Sequence, residues 1–111
     1  FGMTISELST AVQYGINTVT IVMNNNSWGA EKAYQKDFFG RRYIGADISS
    51  PPFNKVAQLY GAKGFEVNKI SEINEALKAA IKCNKPAVIN VNVDPNALYS
   101  FRRDSFKHKT K

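Results

Sequence analysis

The sequence predicts an α/β fold, a three-layer, doubly wound parallel sheet with helices on both faces. Two apolar, β-branched runs, "TVTIVM" and "PAVINVNV", have the composition of strands in a buried sheet. Helical patterns precede and separate the predicted strands, so that the expected order is α-β-α-α-β-α-β. Strands that are separated by helices pair in parallel through right-handed crossovers, and this places helices on both faces.

The first half of the pattern contains a helix, a strand and a second helix. "TISELSTAVQYG" predicts a helix because Thr4 and Glu7 have capping-box spacing and Gly15 suits the carboxyl end. "NTVTIVMNN" is a near-continuous apolar run, which predicts a strand buried on both faces. Residues 30–43 mix aromatic and charged side chains, and we expect a short helix followed by a loop.

The second half follows a break at "SSPPF" and contains two helices and two strands. We expect a helix from Pro52, with Phe53 and Ala57 on its apolar stripe, and a short strand in "KGFEVNKI". "SEINEALKAAIKCN" predicts an amphipathic helix, with Ser71 as its N-cap and Ile81 on its inner face. "PAVINVNVD" predicts the last strand.

The composition indicates one domain in a reducing compartment. With 111 residues, of which 43% are hydrophobic and 22% charged, the chain suits a single core. Its one cysteine, Cys83, cannot form an internal disulfide, so we expect a cytoplasmic protein. No segment approaches the about 18 consecutive apolar residues of a membrane span. Because the chain begins at Phe1, we expect it to be a piece of a longer polypeptide.

The net charge of +6 is concentrated at the C-terminus. Residues 102–111 contain five lysines and arginines and one aspartate, which leaves the body close to neutral. We therefore expect a folded domain over residues 1–94 and a basic tail over residues 95–111. A module that binds nucleic acid through this tail is an alternative, with an affinity that falls steeply with salt. The absence of a recognition helix or an aromatic and basic platform argues against nucleic acid as a partner.

Three consecutive asparagines, Asn24 to Asn26, follow the first predicted strand and precede Trp28 and Gly29. Ligands bind beyond the carboxyl ends of strands in open α/β sheets, and carboxamide and carbonyl oxygens suit Mg²⁺ or Ca²⁺. Gly29 permits close backbone approach, and a helix that begins near Ala30 would offer free N–H groups to a phosphate. The pattern thus indicates a Mg²⁺–diphosphate site. An asparagine-rich turn with Trp28 packed over it is the alternative.

The segment from Phe1 to Tyr43 resembles part of the cofactor motif in thiamine-diphosphate enzymes of the acetolactate synthase and pyruvate oxidase superfamily. In these enzymes a Gly-Asp-Gly turn precedes a helix similar to "MTISELSTA", and the following strand ends in an asparagine pair. The resemblance implies the thiamine-diphosphate-binding fold, with thiamine diphosphate and Mg²⁺ as cofactors. The implied metal ligands are Asn25 and Ser27, through a side-chain and a main-chain oxygen, and the implied cofactor contacts are Asn25, Ser27, Trp28, Gly29 and Ala30.

The same resemblance implies that essential parts of the site lie outside this chain. Phe1 corresponds to the residue just after the Gly-Asp-Gly turn, so we expect the first strand and the metal-binding Asp to be missing. The carboxylate that activates the cofactor lies on another domain in this superfamily, usually in a neighbouring subunit. We therefore expect the fragment alone to be inactive and the intact enzyme to be a homodimer or homotetramer.

Within the superfamily, "N..WGAEK..Q.DF..RR" and "FRRD" are similar to motifs of the sulfoacetaldehyde acetyltransferases. That family converts sulfoacetaldehyde and phosphate into acetyl phosphate and sulfite, so the resemblance implies small anionic substrates. Guanidinium groups suit such anions, and the substrate-facing candidates are Tyr34, Arg41, Arg42, Arg102 and Arg103. Salt bridges are the alternative role for the arginines, and packing is the alternative for the tyrosine. A carboligase that makes acetolactate, or a 2-oxo acid decarboxylase of the same superfamily, is the alternative function.

Overall fold

The computed structural model describes residues 1–99 and confirms the predicted order of helices and strands. Two short 3₁₀ turns, Gly2–Thr4 and Ile70–Glu72, precede the first and the last helix. Among residues 1–99, no helix combines the length and the apolarity that a membrane crossing requires. The main elements are α1 (Glu7–Gln13), β1 (Val19–Asn24), α2 (Gly29–Phe38), α3 (Phe53–Leu59), β2 (Lys63–Val67), α4 (Ile73–Lys82) and β3 (Ala87–Asn92).

The chain divides into two compact units. Unit 1 consists of Phe1–Asn24 and Ser50–Val93, and it contains all three strands. Unit 2 consists of Asn25–Ser49 and Asp94–Lys111, of which residues 94–99 are described, and it contains α2. The division of the chain into a domain over residues 1–94 and a basic tail over residues 95–111 stays a prediction.

Unit 1 is built on a parallel sheet with the strand order β1-β3-β2. Both neighbours pair with β3 in parallel, and Val19 and Lys63 each lie opposite Ala87. The three strands therefore start level with one another, and their carboxyl ends meet at one edge. The helices between consecutive strands make this parallel pairing possible, because a parallel connection needs a long crossover.

Helices cover both faces of this sheet, as the sequence predicts. On one face, Leu8 of α1 and Phe53 of α3 pack into a cluster with Val22 and Val88. On the other face, α4 packs against β2 and β3. Its cluster joins buried residues of the three elements: Val67, Ala80, Ala87, Ile89 and Val91. The central strand β3 is consequently buried on both sides, which explains its near-continuous apolar sequence.

The prediction that β1 is buried on both faces is wrong. Val22 is buried, but Ile21 is 43% exposed and Met23 is 63% exposed. These two residues lie opposite Ile89 and Val91, on the face that α4 covers over β2 and β3. In the described part of the chain β1 is an edge strand, so the helix that shields the centre of the sheet leaves its outer side open.

The two predicted N-caps are also wrong, because 3₁₀ turns form where helix starts were expected. Thr4 lies in the first turn, where its hydroxyl donates to the Phe1 carbonyl at 3.3 Å, and α1 begins only at Glu7. Ser71 lies inside the second turn, whose N-cap is Lys69, and Glu72 takes the N-cap position of α4. The predicted helix stop at Gly15 is confirmed by its φ of 62°. Ile81, expected on the inner face of α4, is 64% exposed.

Candidate functional site

The candidate site lies in the loop that connects β1 to α2, and its residues belong to unit 2. β1 ends at Asn24, and α2 begins at Gly29. Asn26 has a φ of 52°, in the left-handed region that asparagine adopts more readily than most residues. Asn26 therefore forms the turn of the loop, whereas Asn25 is left to place its side chain at the start of α2.

The carboxamide of Asn25 is held by a hydrogen bond at one end and lies against Gly29 at the other. Its Oδ1 accepts a hydrogen bond from the Ser27 N–H at 3.1 Å, a local turn that asparagine side chains commonly form. Its Nδ2 lies so close to Gly29 that a Cβ atom on residue 29 would stand 2.7 Å from it. The half-buried Asn25 side chain thus rests directly against the first residue of α2, and a Cβ atom at position 29 would displace it.

Ser27 is fixed by backbone hydrogen bonds on both sides. The Trp28 N–H donates to the Ala46 carbonyl at 2.7 Å, and the Ile48 N–H donates to the Asn26 carbonyl at 3.0 Å. Ser27 is 9% exposed, and its hydroxyl has no hydrogen-bond partner within residues 1–99. Burial of a hydroxyl without a hydrogen-bond partner costs free energy. Such a group is expected where a bound ligand supplies the missing partner.

These residues present the type of oxygen donor that Mg²⁺ prefers. The donors are the Asn25 carboxamide oxygen and the Ser27 carbonyl, with the Ser27 hydroxyl beside them. Within residues 1–99, no group of three or more His, Cys, Asp or Glu side chains could hold a metal ion. The Asn25 and Ser27 donors are neutral oxygens, so an anionic ligand such as a diphosphate would supply charge that balances a cation in this loop. The first N–H groups of α2 have no carbonyl partner within the helix and would be available to such an anion.

Trp28 does not form the packed cover of an asparagine-rich turn. Its side chain is 45% exposed, and its backbone provides the N-cap position of α2. Its N–H already bonds the Ala46 carbonyl, so the first amides open to a ligand are those of Gly29 and Ala30. The structure thus keeps Asn25, Ser27, Gly29 and Ala30 together and places the indole ring of Trp28 at the surface of the same loop.

The other predicted site residues lie further along unit 2. The Tyr34 ring centroid is 4.7 Å from that of Phe38 and 5.7 Å from that of Phe39, so Tyr34 is part of an aromatic cluster on α2. Arg41 and Arg42 are exposed and follow the carboxyl end of this helix. Ten helical residues extend about 15 Å, and this length separates the two arginines from the Asn25 end of α2.

Local contacts restrain both of these arginines. Arg41 has a φ of 61°, a strained conformation for a residue with a side chain, and its N–H donates to the Gln35 carbonyl at 3.2 Å. The Nε of Arg42 donates to the Phe39 carbonyl at 3.2 Å. Arg102 and Arg103 lie outside the described residues, and their role stays a prediction.

Sequence reasoning missed one part of this unit, the chain segment that returns to the loop. Ala46 and Ile48 bond the loop backbone on either side of Ser27, as described above. Nothing in their local sequence indicates such a role, because the contacts are made by backbone atoms. Lys32 and Gln35 are part of the motif quoted in the sequence analysis. That motif does not show which residues of the returning segment they contact.

Comparison with known proteins gives relatives that are enzymes of the predicted superfamily. The sulfoacetaldehyde acetyltransferase of Castellaniella defragrans is 36% identical over 109 residues, which cover 95% of this chain and 18% of that protein. A probable acetolactate synthase large subunit of Methanococcus aeolicus is 35% identical over 101 residues, which cover 90% of this chain and 17% of that protein. The chain therefore spans less than a fifth of the length of these curated relatives.

Solved structures give the same fold. A thiamine diphosphate-dependent 4-hydroxybenzoylformate decarboxylase of Rhodococcus jostii RHA1 matches with a TM-score of 0.76 and 29% identity, over 84% of this chain and 18% of that one. Benzoylformate decarboxylase of Polynucleobacter necessarius matches with a TM-score of 0.78 and 21% identity, over 88% of this chain and 18% of that one. The second likeness shows the fold alone.

The family model described as the C-terminal TPP binding domain of thiamine pyrophosphate enzymes matches residues 1–91. The predicted superfamily is thereby confirmed, and so is the predicted fold, since the structural neighbours share it. The chain belongs to the C-terminal TPP-binding domain family of thiamine pyrophosphate enzymes, and its cofactor is thiamine diphosphate, with Mg²⁺ as the usual partner metal of such enzymes.

Proposed function

We propose that this chain is the C-terminal part of an acetyltransferase that depends on thiamine diphosphate and Mg²⁺. The reaction converts sulfoacetaldehyde and phosphate into acetyl phosphate and sulfite. The proposal is supported by the similarity to the sulfoacetaldehyde acetyltransferase of Castellaniella defragrans, at 36% identity across 95% of this chain. The structural observation that carries it is the pair of oxygen donors, on Asn25 and Ser27, at the start of α2.

In this function Asn25 and Ser27 bind the metal, and the start of α2 binds the diphosphate. A carboxamide oxygen has two lone pairs, so Asn25 Oδ1 keeps its hydrogen bond from the Ser27 N–H while it binds Mg²⁺. The Ser27 carbonyl is the second ligand. The N–H groups of Gly29 and Ala30 donate to phosphate oxygens, and Trp28 contacts the cofactor from the same loop.

The substrates are anions, and arginine side chains of the chain recognise them. Arg41 and Arg42 are exposed, and a guanidinium group can make two parallel hydrogen bonds to a sulfonate or a phosphate. Arg102 and Arg103 are the other candidates for this role. Tyr34 is the candidate for a contact with the reacting end of the substrate, although its aromatic neighbours also give it a packing role.

The rest of the enzyme supplies what this chain lacks. Bound thiamine diphosphate supplies the carbanion chemistry of the reaction, and the protein binds and orients it. The remaining part of the polypeptide and a second subunit complete the site in a homodimer or homotetramer, so the chain alone is inactive. We place the enzyme in the cytoplasm, where Cys83, the single cysteine of this chain, stays reduced.

An acetolactate synthase activity is the second candidate, because the relative from Methanococcus aeolicus is 35% identical over 90% of this chain. The two activities differ in their second substrate. The acetyltransferase needs inorganic phosphate, whereas the carboligase joins two 2-oxo acids and needs none. A 2-oxo acid decarboxylase of the same superfamily is the third activity to be compared.

The test of the proposed reaction uses the full-length protein with thiamine diphosphate and Mg²⁺. Sulfoacetaldehyde, or pyruvate in a parallel assay, is supplied with and without phosphate, and acetyl phosphate and sulfite are both quantified. We expect equal amounts of the two products, formed only when phosphate is present. Product formation from pyruvate without phosphate, and none from sulfoacetaldehyde, would assign the carboligase or the decarboxylase instead.

The test of the metal site compares Asn25→Ala with Asn25→Asp in the full-length protein. The aspartate keeps an oxygen at the metal position, whereas alanine removes it. We expect Asn25→Ala to lose Mg²⁺-dependent binding of thiamine diphosphate with the fold retained, and Asn25→Asp to keep it. Isothermal titration with and without Mg²⁺ measures this binding. Unchanged binding in the alanine variant would remove Asn25 from the site.

A further inference from the structure

Two side chains of α2, Lys32 and Gln35, contact the chain segment that follows the helix. We call residues 44–48 the return segment. Gln35 Nε2 donates to the Ile44 carbonyl at 2.9 Å, and the Ile44 N–H donates to Gln35 Oε1 at 2.9 Å. Both ends of one carboxamide are therefore bonded to one residue. This pair of hydrogen bonds is similar to the pair between two facing residues of an antiparallel sheet. It sets the position of the return segment along α2.

Lys32 holds the same segment one turn earlier on α2. Its Nζ lies 2.5 Å from Asp47 Oδ1. The same ammonium group lies 5.4 Å from the centroid of the Tyr43 ring, within the range of a cation–π contact. The Lys32 side chain is only 12% exposed, although its partner Asp47 is 70% exposed. Lys32 therefore restrains Asp47 within the return segment and Tyr43 just before it.

The return segment in turn fixes the loop that carries the metal ligands. As shown above, the Ala46 carbonyl accepts from the Trp28 N–H, and the Ile48 N–H donates to the Asn26 carbonyl. These two hydrogen bonds lie on either side of Ser27, and Ser27 and Asp47 form an isolated antiparallel bridge. The peptide groups on both sides of the Ser27 residue are thereby held in one orientation, and its carbonyl can move only if the return segment moves.

We propose that Gln35 and Lys32 are positioning residues, which act through the return segment to aim the Ser27 carbonyl at the metal. This inference rests on the proposed role of Ser27 as a metal ligand. It gives a function to the two residues of the "WGAEK..Q" motif whose side chains do not reach the loop directly.

Stability of the fold is a poor alternative explanation for these contacts. Ile44 is 81% exposed, so the Gln35 carboxamide does not hold it in a core. An ion pair with an exposed carboxylate such as that of Asp47 adds little to folding. Partners that orient a metal ligand, by contrast, typically change metal affinity by about 10- to 100-fold when they are removed.

The experiment uses the full-length protein with Gln35→Leu and two readouts. The first is hydrogen exchange at the Trp28 and Ile48 amides without cofactor. The second is the Mg²⁺ concentration that gives half-maximal binding of thiamine diphosphate. We expect faster exchange at both amides and an increase of about tenfold in the Mg²⁺ requirement. Gln35→Glu keeps the acceptor for the Ile44 N–H and loses the donor, so it should restore part of both properties.

Gln58→Leu is the matched control, because Gln58 is also a helical glutamine that donates to a backbone carbonyl, that of Gly64 at 3.4 Å. It lies in unit 1, and we expect it to change neither readout. Asp47→Asn removes the ion pair with Lys32 at an exposed position. It replaces Gln35→Leu as the test variant if Gln35→Leu does not fold. It should change both readouts in the same direction by a smaller factor.

Two outcomes overturn the inference while the proposed function stands. In the first, Gln35→Leu changes neither readout. In the second, exchange accelerates but the Mg²⁺ requirement stays that of the wild type, so the segment is held without aiming a ligand. A wild-type protein that binds thiamine diphosphate without any need for Mg²⁺ overturns the proposed metal site and the inference with it. Hydrogen exchange is measured without cofactor, so it distinguishes a failure of this inference from a failure of the proposed metal site.

Discussion

Asn24 of β1 donates a hydrogen bond through Nδ2 to Asn90 Oδ1 of β3, at 3.2 Å. Asn90 continues the chain by donating to Asn92 Oδ1 at 2.9 Å. Asn92 then donates to Asn68 Oδ1 at 2.7 Å and to Glu66 Oε1 at 3.0 Å. Polar side chains are thus linked across all three strands of the sheet. The series ends at Glu66 Oε1, which accepts from Asn92.

The first prediction concerns Asn90, which is 1% exposed. Asn90→Ala removes the acceptor for Asn24 and the donor for Asn92 inside the sheet. We expect it to lower the opening free energy of the β3 amides by about 2 kcal/mol, since the buried Asn90 side chain and its two hydrogen bonds are lost. Hydrogen exchange in the full-length protein measures this quantity. The control Asn17→Ala breaks the exposed Asn17–Asn84 hydrogen bond of 2.8 Å and should cost about 0.5 kcal/mol or less. Equal losses in the two variants would contradict the prediction.

The second prediction concerns the close contact of β2 with α3. A Cβ atom on Gly64 would lie 2.0 Å from the carbonyl oxygen of Asn54 and 2.7 Å from its carbonyl carbon. Both atoms are backbone and cannot rotate away, so we expect Gly64→Ala to destabilise unit 1 by about 3 kcal/mol. The loss of stability is measured by hydrogen exchange of the α3 and β2 amides as the urea concentration is raised. In Gly2→Ala the nearest atoms are Phe53 ring carbons at 3.7 Å, so this control should have little effect.

The third prediction concerns Gly29 at the start of α2. Gly29→Ala places a Cβ atom 2.7 Å from Asn25 Nδ2, so the Asn25 side chain must rotate. Because alanine is a better helix residue than glycine, we expect the fold to be retained while the Mg²⁺ requirement for cofactor binding rises about tenfold. The loss should vanish in an Asn25→Ala background, where no carboxamide remains to be displaced. Additive losses in the double variant would show that Gly29 acts independently of Asn25.

The fourth prediction concerns Glu72 and pH. Its carboxylate accepts hydrogen bonds from the Asn68 N–H at 2.9 Å and the Lys69 N–H at 3.1 Å, and these bonds lower the pKa of Glu72 from 4.5. A carboxyl with a lowered folded pKa stabilises the fold fully above its unfolded pKa. The stabilisation is lost as the pH falls through the folded value.

We therefore expect the turn at Ile70–Glu72 to open more easily below pH 4.5 in the wild type. Glu72→Gln should reduce that pH dependence. Urea titrations by circular dichroism at several pH values between about pH 3 and about pH 6 measure the slope. Glu75→Gln removes one negative charge from α4 without touching the two amide hydrogen bonds, and it should leave the slope unchanged. A Glu72→Gln variant with the wild-type slope would contradict the assignment.

Most of the fold could be predicted from sequence, because periodicity and helix stops are local properties. The alternation of apolar runs with helical patterns predicts each strand found within residues 1–99, and Gly15 ends α1 as expected. The errors at Thr4 and Ser71 arise because a 3₁₀ turn precedes each helix. The Thr4 hydroxyl bonds the Phe1 carbonyl, and at the second turn the Glu72 carboxylate accepts from the Lys69 N–H.

The candidate site could be predicted only in part. The resemblance identifies Asn25, Ser27 and Gly29, and the structure places these residues together at the start of α2. The resemblance does not show that Gln35 and Lys32 have partners in the return segment, because their bonds to Ile44 and Asp47 span nine and fifteen positions. Backbone groups such as the Ala46 carbonyl carry no signal in sequence at all.

By itself the sequence determined that this protein is a parallel α/β domain with an amide-rich loop beyond its first strand. Both properties follow from side-chain polarity and spacing along the chain. Only the tertiary structure decided that Ile21 and Met23 are exposed, that Asn90 is the centre of a hydrogen-bonded series, and that Ser27 is held from both sides. The physical reason is that burial and hydrogen bonding between distant segments depend on which segments pack against each other. The local sequence pattern does not contain that information.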